Sequence, residues 1–141
     1  MYTIVLAIYY PIHRLGIMSF VRSSFDDVKV IEVDNGKDLM KLLAEDLVDM
    51  IILDPALPCI AIQKLIKKRR GASAMPPVLI YSEGDELTFA TTFIRMGAAG
   101  YIEQKCREDQ MIHAIRIILQ GSKYISNRVW ENYLNGLVGS A

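Results

Sequence analysis

Residues 50–58 read MIILDPALP, and this stretch decides the fold. The four apolar residues MIIL leave no polar face and are too few for a helix, so they form a strand buried on both sides. Such strands belong to parallel sheets covered by helices. The strand delivers Asp54 at its carboxyl end, immediately before Pro55, so a carboxylate stands at the rim of the sheet.

The same logic runs outward along the chain. Upstream, residues 2–10 (YTIVLAIYY) are β-branched and aromatic and are stopped by Pro11, which predicts a first strand ending near Tyr9. Pro11 suits a first helical position, and Ile12, Leu15, Met18, Val21 and Phe25 recur at helical spacing as an inward face. Residues 28–33 (VKVIEV) give a second strand, and Asp34-Asn35-Gly36 supplies turn and N-cap chemistry for a helix turning Leu39, Leu42, Leu43 and Leu47 inward. Downstream, a helix over 61–70 turns Ile62, Leu65 and Ile66 inward and ends in Lys67-Lys68-Arg69-Arg70 before Gly71. Cations at a helix C-terminus before a glycine complement the macrodipole, so this run reads as a solvated helix end and not as a nucleic-acid patch.

Residues 78–81 form a fourth strand closed by Ser82, and the acidic loop Glu83-Gly84-Asp85-Glu86 leads into a helix reaching Met96 and capped by Gly97. Tyr101-Ile102 marks a short fifth strand, and a helix from Asp109 aligns Met111, Ile112, Ile115, Ile118 and Leu119 before Gly121. A further helix over 127–134 carries the single tryptophan and precedes a fraying tail. Strict β-α alternation predicts an α/β, flavodoxin-like, doubly wound sheet of five parallel strands in the order 2-1-3-4-5, with five covering helices. Ligands of such sheets bind outside the carboxyl ends of the strands, which singles out Ile8, Tyr9, Asp54, Ser82 and the neighbourhood of Gln104.

Composition narrows the function classes. The 141 residues are 52% apolar and 23% charged, with 16 Lys+Arg balancing 16 Asp+Glu. One globular domain is expected, large enough to fold without a metal or disulfide staple. Zero net charge argues against direct nucleic-acid binding by this domain. The first apolar run lacks a basic lead and meets Pro11 early, so neither a signal peptide nor a membrane span is expected, and the location implied is cytoplasmic. Cys59 and Cys106 form no CxxC pair and read as reduced thiols; His13 and His113 read as isolated structural histidines.

Tyr10-Pro11 with Arg14 and Gly16, LDPALP (53–58), VLIYS (78–82), MGAAGYI (96–102) and GSKYIS (121–126) together resemble the receiver (CheY-like) domain of two-component response regulators, most of all the NarL/FixJ (LuxR-type) branch. The resemblance covers about residues 3–126. It implies a domain that takes a phosphoryl group from a histidine kinase onto an aspartate, with Mg²⁺ held by that aspartate and two further carboxylates after the first strand, and with a lysine after the fifth strand adding charge stabilisation. Position by position, Asp54 matches the phospho-acceptor, Pro58 the proline four residues on, and Ser82 and Tyr101 the switch hydroxyl and aromatic.

Five positions depart from the pattern. The acidic pair falls on Ile8 and Tyr9, and the lysine position falls on Gln104, with Lys105 one place later. Ile62 replaces a small residue, and Glu83 places a bulky anion beside Ser82; Glu83 and Lys105 are the candidates for compensation. Phosphoryl transfer rests on positioning and electrostatic stabilisation, and removing one stabilising charge commonly costs ~3 kcal/mol. Little physiological phosphorylation is therefore expected, and no metal or other cofactor; Mg²⁺ belongs only to the alternative of an active acceptor at Asp54.

The expectation is a non-enzymatic, atypical receiver: residues 1–126 form the domain, and 127–141 a helix or linker toward a helix-turn-helix DNA-binding domain outside this chain. Its output is homodimerisation and DNA binding by that attached domain. The alternatives are the active phospho-acceptor, and a receiver that senses a small ligand such as a cyclic dinucleotide. Phe89, Phe93 and Met96 on one side, and Phe20, Met111 and Ile118 on the other, are candidate dimer anchors.

Overall fold

The coordinates, a computed structural model, describe residues 1–67 and 75–139. The elements alternate as β1 (Tyr2–Ala7), α1 (Pro11–Ser24), β2 (Val28–Val33), α2 (Gly36–Glu45), β3 (Met50–Leu53), α3 (Ile62–Lys67), β4 (Val78–Ser82), α4 (Glu86–Met96), β5 (Gly100–Glu103), α5 (Glu108–Leu119) and α6 (Asn127–Gly139). The five strands are all parallel, in the order β2-β1-β3-β4-β5, as the alternation predicts.

Successive side chains of a strand point to opposite faces, and the core divides accordingly. Ile4, Leu6, Ile8, Met50, Ile52 and Tyr81 join Ile17 and Val21 of α1 and Met111, Ile115 and Ile118 of α5. Val5, Ala7, Ile51, Leu53, Ile80 and Tyr101 join Leu39 of α2, Leu65 and Ile66 of α3, Ala90 of α4 and Val129 of α6. Each face is sealed by helices, so the central strands carry no polar alternation.

Local chemistry sets the ends of the elements. Pro11 opens α1, the Asn35 side chain caps α2 by accepting from the Asp38 amide at 2.9 Å, and Gly97 closes α4 in the left-handed region at φ 117°. Gly36 donates its amide to the Pro58 carbonyl at 2.7 Å, and a Cβ on it would run into the Cys59 carbonyl. This close approach ties the start of α2 to the loop that follows Asp54. Cys59 itself takes φ 61°, a left-handed conformation unusual for a residue with a side chain.

Several expectations are corrected. β1 ends at Ala7, before Tyr9, because the chain turns toward Pro11. The inward face of α1 is Ile17 and Val21; Ile12 and Leu15 are 77% and 67% exposed, since they lie on the opposite arc of the helix. α2 ends at Glu45, leaving Leu47 95% exposed. α5 begins one residue earlier than Asp109, and the last helix runs to Gly139, with no break at residue 134. Met111 and Ile118 are core residues and cannot anchor a dimer, whereas Phe89 is exposed. The basic run beyond Lys67 lies outside the described residues. Among the described residues no helix is long and apolar enough to cross a membrane.

Candidate functional site at the carboxyl ends of the strands

Asp54 follows the Ala7–Leu53 register pair, and its amide continues the parallel ladder by donating to the Ala7 carbonyl at 3.0 Å. Its side chain is 3% exposed, and Oδ1 accepts from the Ala56 amide at 2.9 Å while the Asp54 carbonyl accepts from Leu57. The carboxylate thus starts a local turn and is held at the rim by the Ala56 amide. A cavity of about 340 Å³ opens over it, lined by Tyr10, Asp54, Ala56, Ser82, Glu83 and Gln104.

The strand register places Ile8 and Tyr81 on either side of Asp54. Ile8 is fully buried in the α1/α5 side of the core. Tyr81 is also buried; its hydroxyl and His13 Nδ1 share a 2.7 Å hydrogen bond, with the rings edge to face. Burial first, then the negative potential of Cys106 and Asp54, pushes the Tyr81 phenol up to about 12. Tyr81 is therefore a neutral hydrogen-bonding group beside the carboxylate.

Tyr9 is 49% exposed and packs edge-on against Tyr10, which is the tyrosine that lines the cavity. At the end of β1 a cation is already in place. Arg14 donates from Nη1 to the Ile8 carbonyl at 2.5 Å and the Tyr9 carbonyl at 2.9 Å, and its Nε pairs with Glu32 at 3.3 Å.

On the other side, Ser82 Oγ accepts from the Gly84 amide at 3.1 Å, and the Gln104 side chain donates to the Tyr81 carbonyl at 3.4 Å. The Tyr101 ring is buried, stacks on Phe93 at 5.7 Å, and its hydroxyl donates to the Gly84 carbonyl at 2.6 Å. Burial raises the Tyr101 phenol pKa, which keeps that donor protonated. Of the two candidates for compensation, Glu83 lines the Asp54 cavity, whereas Lys105 lines a separate one with Glu103, Cys106 and Gln110. Asp54, Ser82, Glu83 and Gln104 are thus brought together; Ile8 belongs to the core, Tyr9 to the surface, and Tyr101 to the rear of the Gly84 loop.

The fold, the strand order and this rim cavity agree with a direct match: residues 11–116 fit the profile of the response regulator receiver domain. The chain belongs to that family. Among curated relatives, the transcriptional activator protein ExaE of Pseudomonas putida is 27% identical over 116 residues, covering 82% of this chain and 54% of ExaE. The glycerol metabolism activator of Pseudomonas putida is 30% identical over 127 residues, covering 89% of this chain and 57% of that protein. The chain therefore spans about half the length of the curated relatives it matches. Among solved structures, a two-component response regulator of the LuxR family from Aurantimonas sp. SI85-9A1 superimposes with a TM-score of 0.80 at 24% identity, covering 96% of this receiver and 97% of that chain.

Sequence reasoning missed four residues of the site. Tyr81 read as strand filler, His13 as an isolated helical histidine, and Tyr10 and Arg14 only as parts of a motif. The one available signal was that Tyr81 immediately precedes Ser82 and so lies beside Asp54 in a 2-1-3-4-5 sheet.

Proposed function

We propose that this receiver regulates transcription without Mg²⁺-dependent phosphorylation of Asp54, as the cytoplasmic regulatory and dimerisation module of a response regulator whose attached helix-turn-helix domain binds DNA. The transcriptional part rests on the relatives, named as a transcriptional activator and a metabolism activator. The phosphorylation-independent part rests on one observation: next to Asp54, where two carboxylates would serve a metal, a fully buried Ile8 is packed into the core and Arg14 caps the adjacent carbonyls.

The donor set does not fit Mg²⁺. A small hard dication requires near-octahedral oxygen ligation, and among the described residues no group of three His, Cys, Asp or Glu side chains stands close enough to hold a metal. A guanidinium beside the same carbonyls adds repulsion to any second cation. Asp54, Ser82 and Tyr101 then serve as a cavity floor, a loop anchor and a loop support, and no histidine kinase is required. Calorimetric titration of the chain with MgCl₂ tests the metal half of this reading. No saturable heat is expected in the millimolar range; a saturable site lost in Asp54→Ala overturns it.

A second reading, an active acceptor, is favoured by one feature: Glu83 lines the same cavity as Asp54 and Ser82 and supplies a second carboxylate. In that reading an Asp54 carboxylate oxygen takes the phosphoryl group of acetyl phosphate in the presence of Mg²⁺ with acetate leaving, and Glu83→Gln abolishes the transfer.

A further inference from the structure

α6 rests on the body of the receiver along one side. Val129 is buried against the sheet, and the first turn is held by a polar cluster. Ser126 Oγ accepts from the Val129 amide at 3.2 Å, which makes Ser126 the N-cap of α6, and the same hydroxyl donates to Glu86 Oε2 at 3.1 Å. Arg128 pairs with Glu86 at 3.5 Å. The helix is therefore a fixed part of the surface and not a loose tail.

At roughly 3.6 residues per turn, Val129, Tyr133, Leu137, Trp130 and Leu134 fall in one apolar arc about 140° wide, with Arg128, Glu131, Asn132 and Asn135 on the opposite side. The core takes up the Val129 edge of that arc. Trp130, Tyr133, Leu134 and Leu137 are between 41% and 56% exposed. Trp130, Leu134 and Leu137 follow one another at spacings of four and three residues, the seam by which helices pair lengthwise. Trp130 stacks on Tyr133 at 5.9 Å, so two aromatic rings of the arc are already ordered.

We propose that this arc of α6 is the surface through which two copies of the chain pair, helix to helix, about a two-fold axis. The proposal rests on the reading of this receiver as a dimerisation module and gives that module its interface. Charge, shape and area each select a second copy as the occupant. Among residues 129–139 Glu131 is the single charged residue and lies off the arc, so two identical faces meet without like-charge repulsion. The arc forms a ridge at Leu134 and Leu137 beside a groove of about 320 Å³ between α6 and α4, walled by Thr91, Ile94, Trp130 and Tyr133, and a two-fold axis sets each ridge against the other copy's groove. The exposed parts of Ile125, Trp130, Tyr133, Leu134 and Leu137 amount to roughly 400 Å² per copy, as much as the largest apolar patch of an ordinary monomer. Pairing two such patches with their groove walls removes about 1,000 Å² from water, which reaches the lower bound for specific association. Phe89, the exposed aromatic near the start of α4, does not line this groove.

Sedimentation velocity of the chain over a concentration series tests this, with Trp130, the single tryptophan, as an internal reporter. A reversible dimer is expected, with acrylamide quenching of Trp130 falling as the dimer forms. Leu134→Arg places two like charges in the interface from an exposed position, and it is expected to raise the dimer Kd at least about tenfold, the scale of losing a central anchor. Phe89→Arg, outside the arc, is expected to leave the Kd unchanged. Circular dichroism verifies that each variant stays folded. A dimer whose Kd is unaltered in Leu134→Arg, or whose formation leaves Trp130 quenching constant, overturns the α6 interface and assigns dimerisation to another surface. A folded chain that stays monomeric across the whole series overturns the α6 interface and the dimerisation reading together.

Discussion

Arg14 donates one guanidinium nitrogen to the carbonyl oxygens of both Ile8 and Tyr9, at 2.5 and 2.9 Å, and so places a fixed positive charge at the carboxyl end of β1. The carbonyl ends of parallel strands attract cations, and in this chain a side chain meets that demand. Arg14 also reaches Glu32 just before the end of β2, so one side chain ties α1 to two strands.

Removing that tie has a measurable cost. Arg14→Met is expected to destabilise the domain by about 1–3 kcal/mol in urea unfolding, because two backbone acceptors lose a charge-assisted donor. Arg14→Lys is expected to recover little of this, since an ammonium lacks the planar fork that spans the carbonyls and Glu32 together. Equal stability of Arg14→Met and the parent contradicts the assignment.

The two residues at the family's acidic positions should respond unequally to carboxylates. Ile8 is fully buried, so Ile8→Asp removes core volume and buries a charge, at a cost of roughly 3–5 kcal/mol. Tyr9 is half exposed, so Tyr9→Asp is expected to change stability by less than about 1 kcal/mol. Paired unfolding curves check this, and an Ile8→Asp protein as stable as Tyr9→Asp contradicts the burial of Ile8.

Most of the fold was legible in the residues. Uniformly apolar segments at 50–53 and 78–81, the proline and glycine stops between helices, and the β-α alternation lead to the observed sheet order. The misses have physical causes. Ile8, Tyr9 and Tyr10 have strand propensity, yet Pro11 must be reached by a turn, so β1 stops at Ala7. Spacing alone does not say which arc of α1 meets the sheet, and Ile12 and Leu15 fall outside it. Asp54, Ser82 and Gln104 were identified as strand-end residues because their positions follow from local chain order. Arg14, His13 and the α6 cap were not, because their partners are carbonyls, a tyrosine and a glutamate brought close only by packing.

Alkaline pH reads the burial of Tyr81. Its phenol is neutral in both states below pH 10.0, the ordinary tyrosine value, and is held up to about 12 in the folded protein. Between those values the unfolded chain loses the proton first, so the Tyr81 contribution to stability is full below about pH 10.0 and falls as pH rises toward 12. Burial raises Cys106 to about 11 from 9.0, which adds a slope of the same sign at lower pH. Tyr81→Phe is expected to flatten the upper part of the profile and to free the His13 ring. An unchanged slope contradicts the placement of Tyr81.

The approach of Gly36 to the Cys59 carbonyl predicts that Gly36→Ala is destabilising by at least about 1–3 kcal/mol, because backbone and not a flexible side chain must move. Its effect should extend to the Asp54 cavity, since the displaced loop follows that residue. Amide exchange at Ala56 and Leu57 is expected to quicken; unaltered exchange there contradicts the link between α2 and the cavity.

The most direct measurement is the intact mass of the chain after incubation with acetyl phosphate and Mg²⁺, alongside Asp54→Ala. A receiver that works without phosphorylation gives the unmodified mass in both proteins, with light scattering unchanged. A phosphate-sized gain in mass that disappears in Asp54→Ala contradicts it.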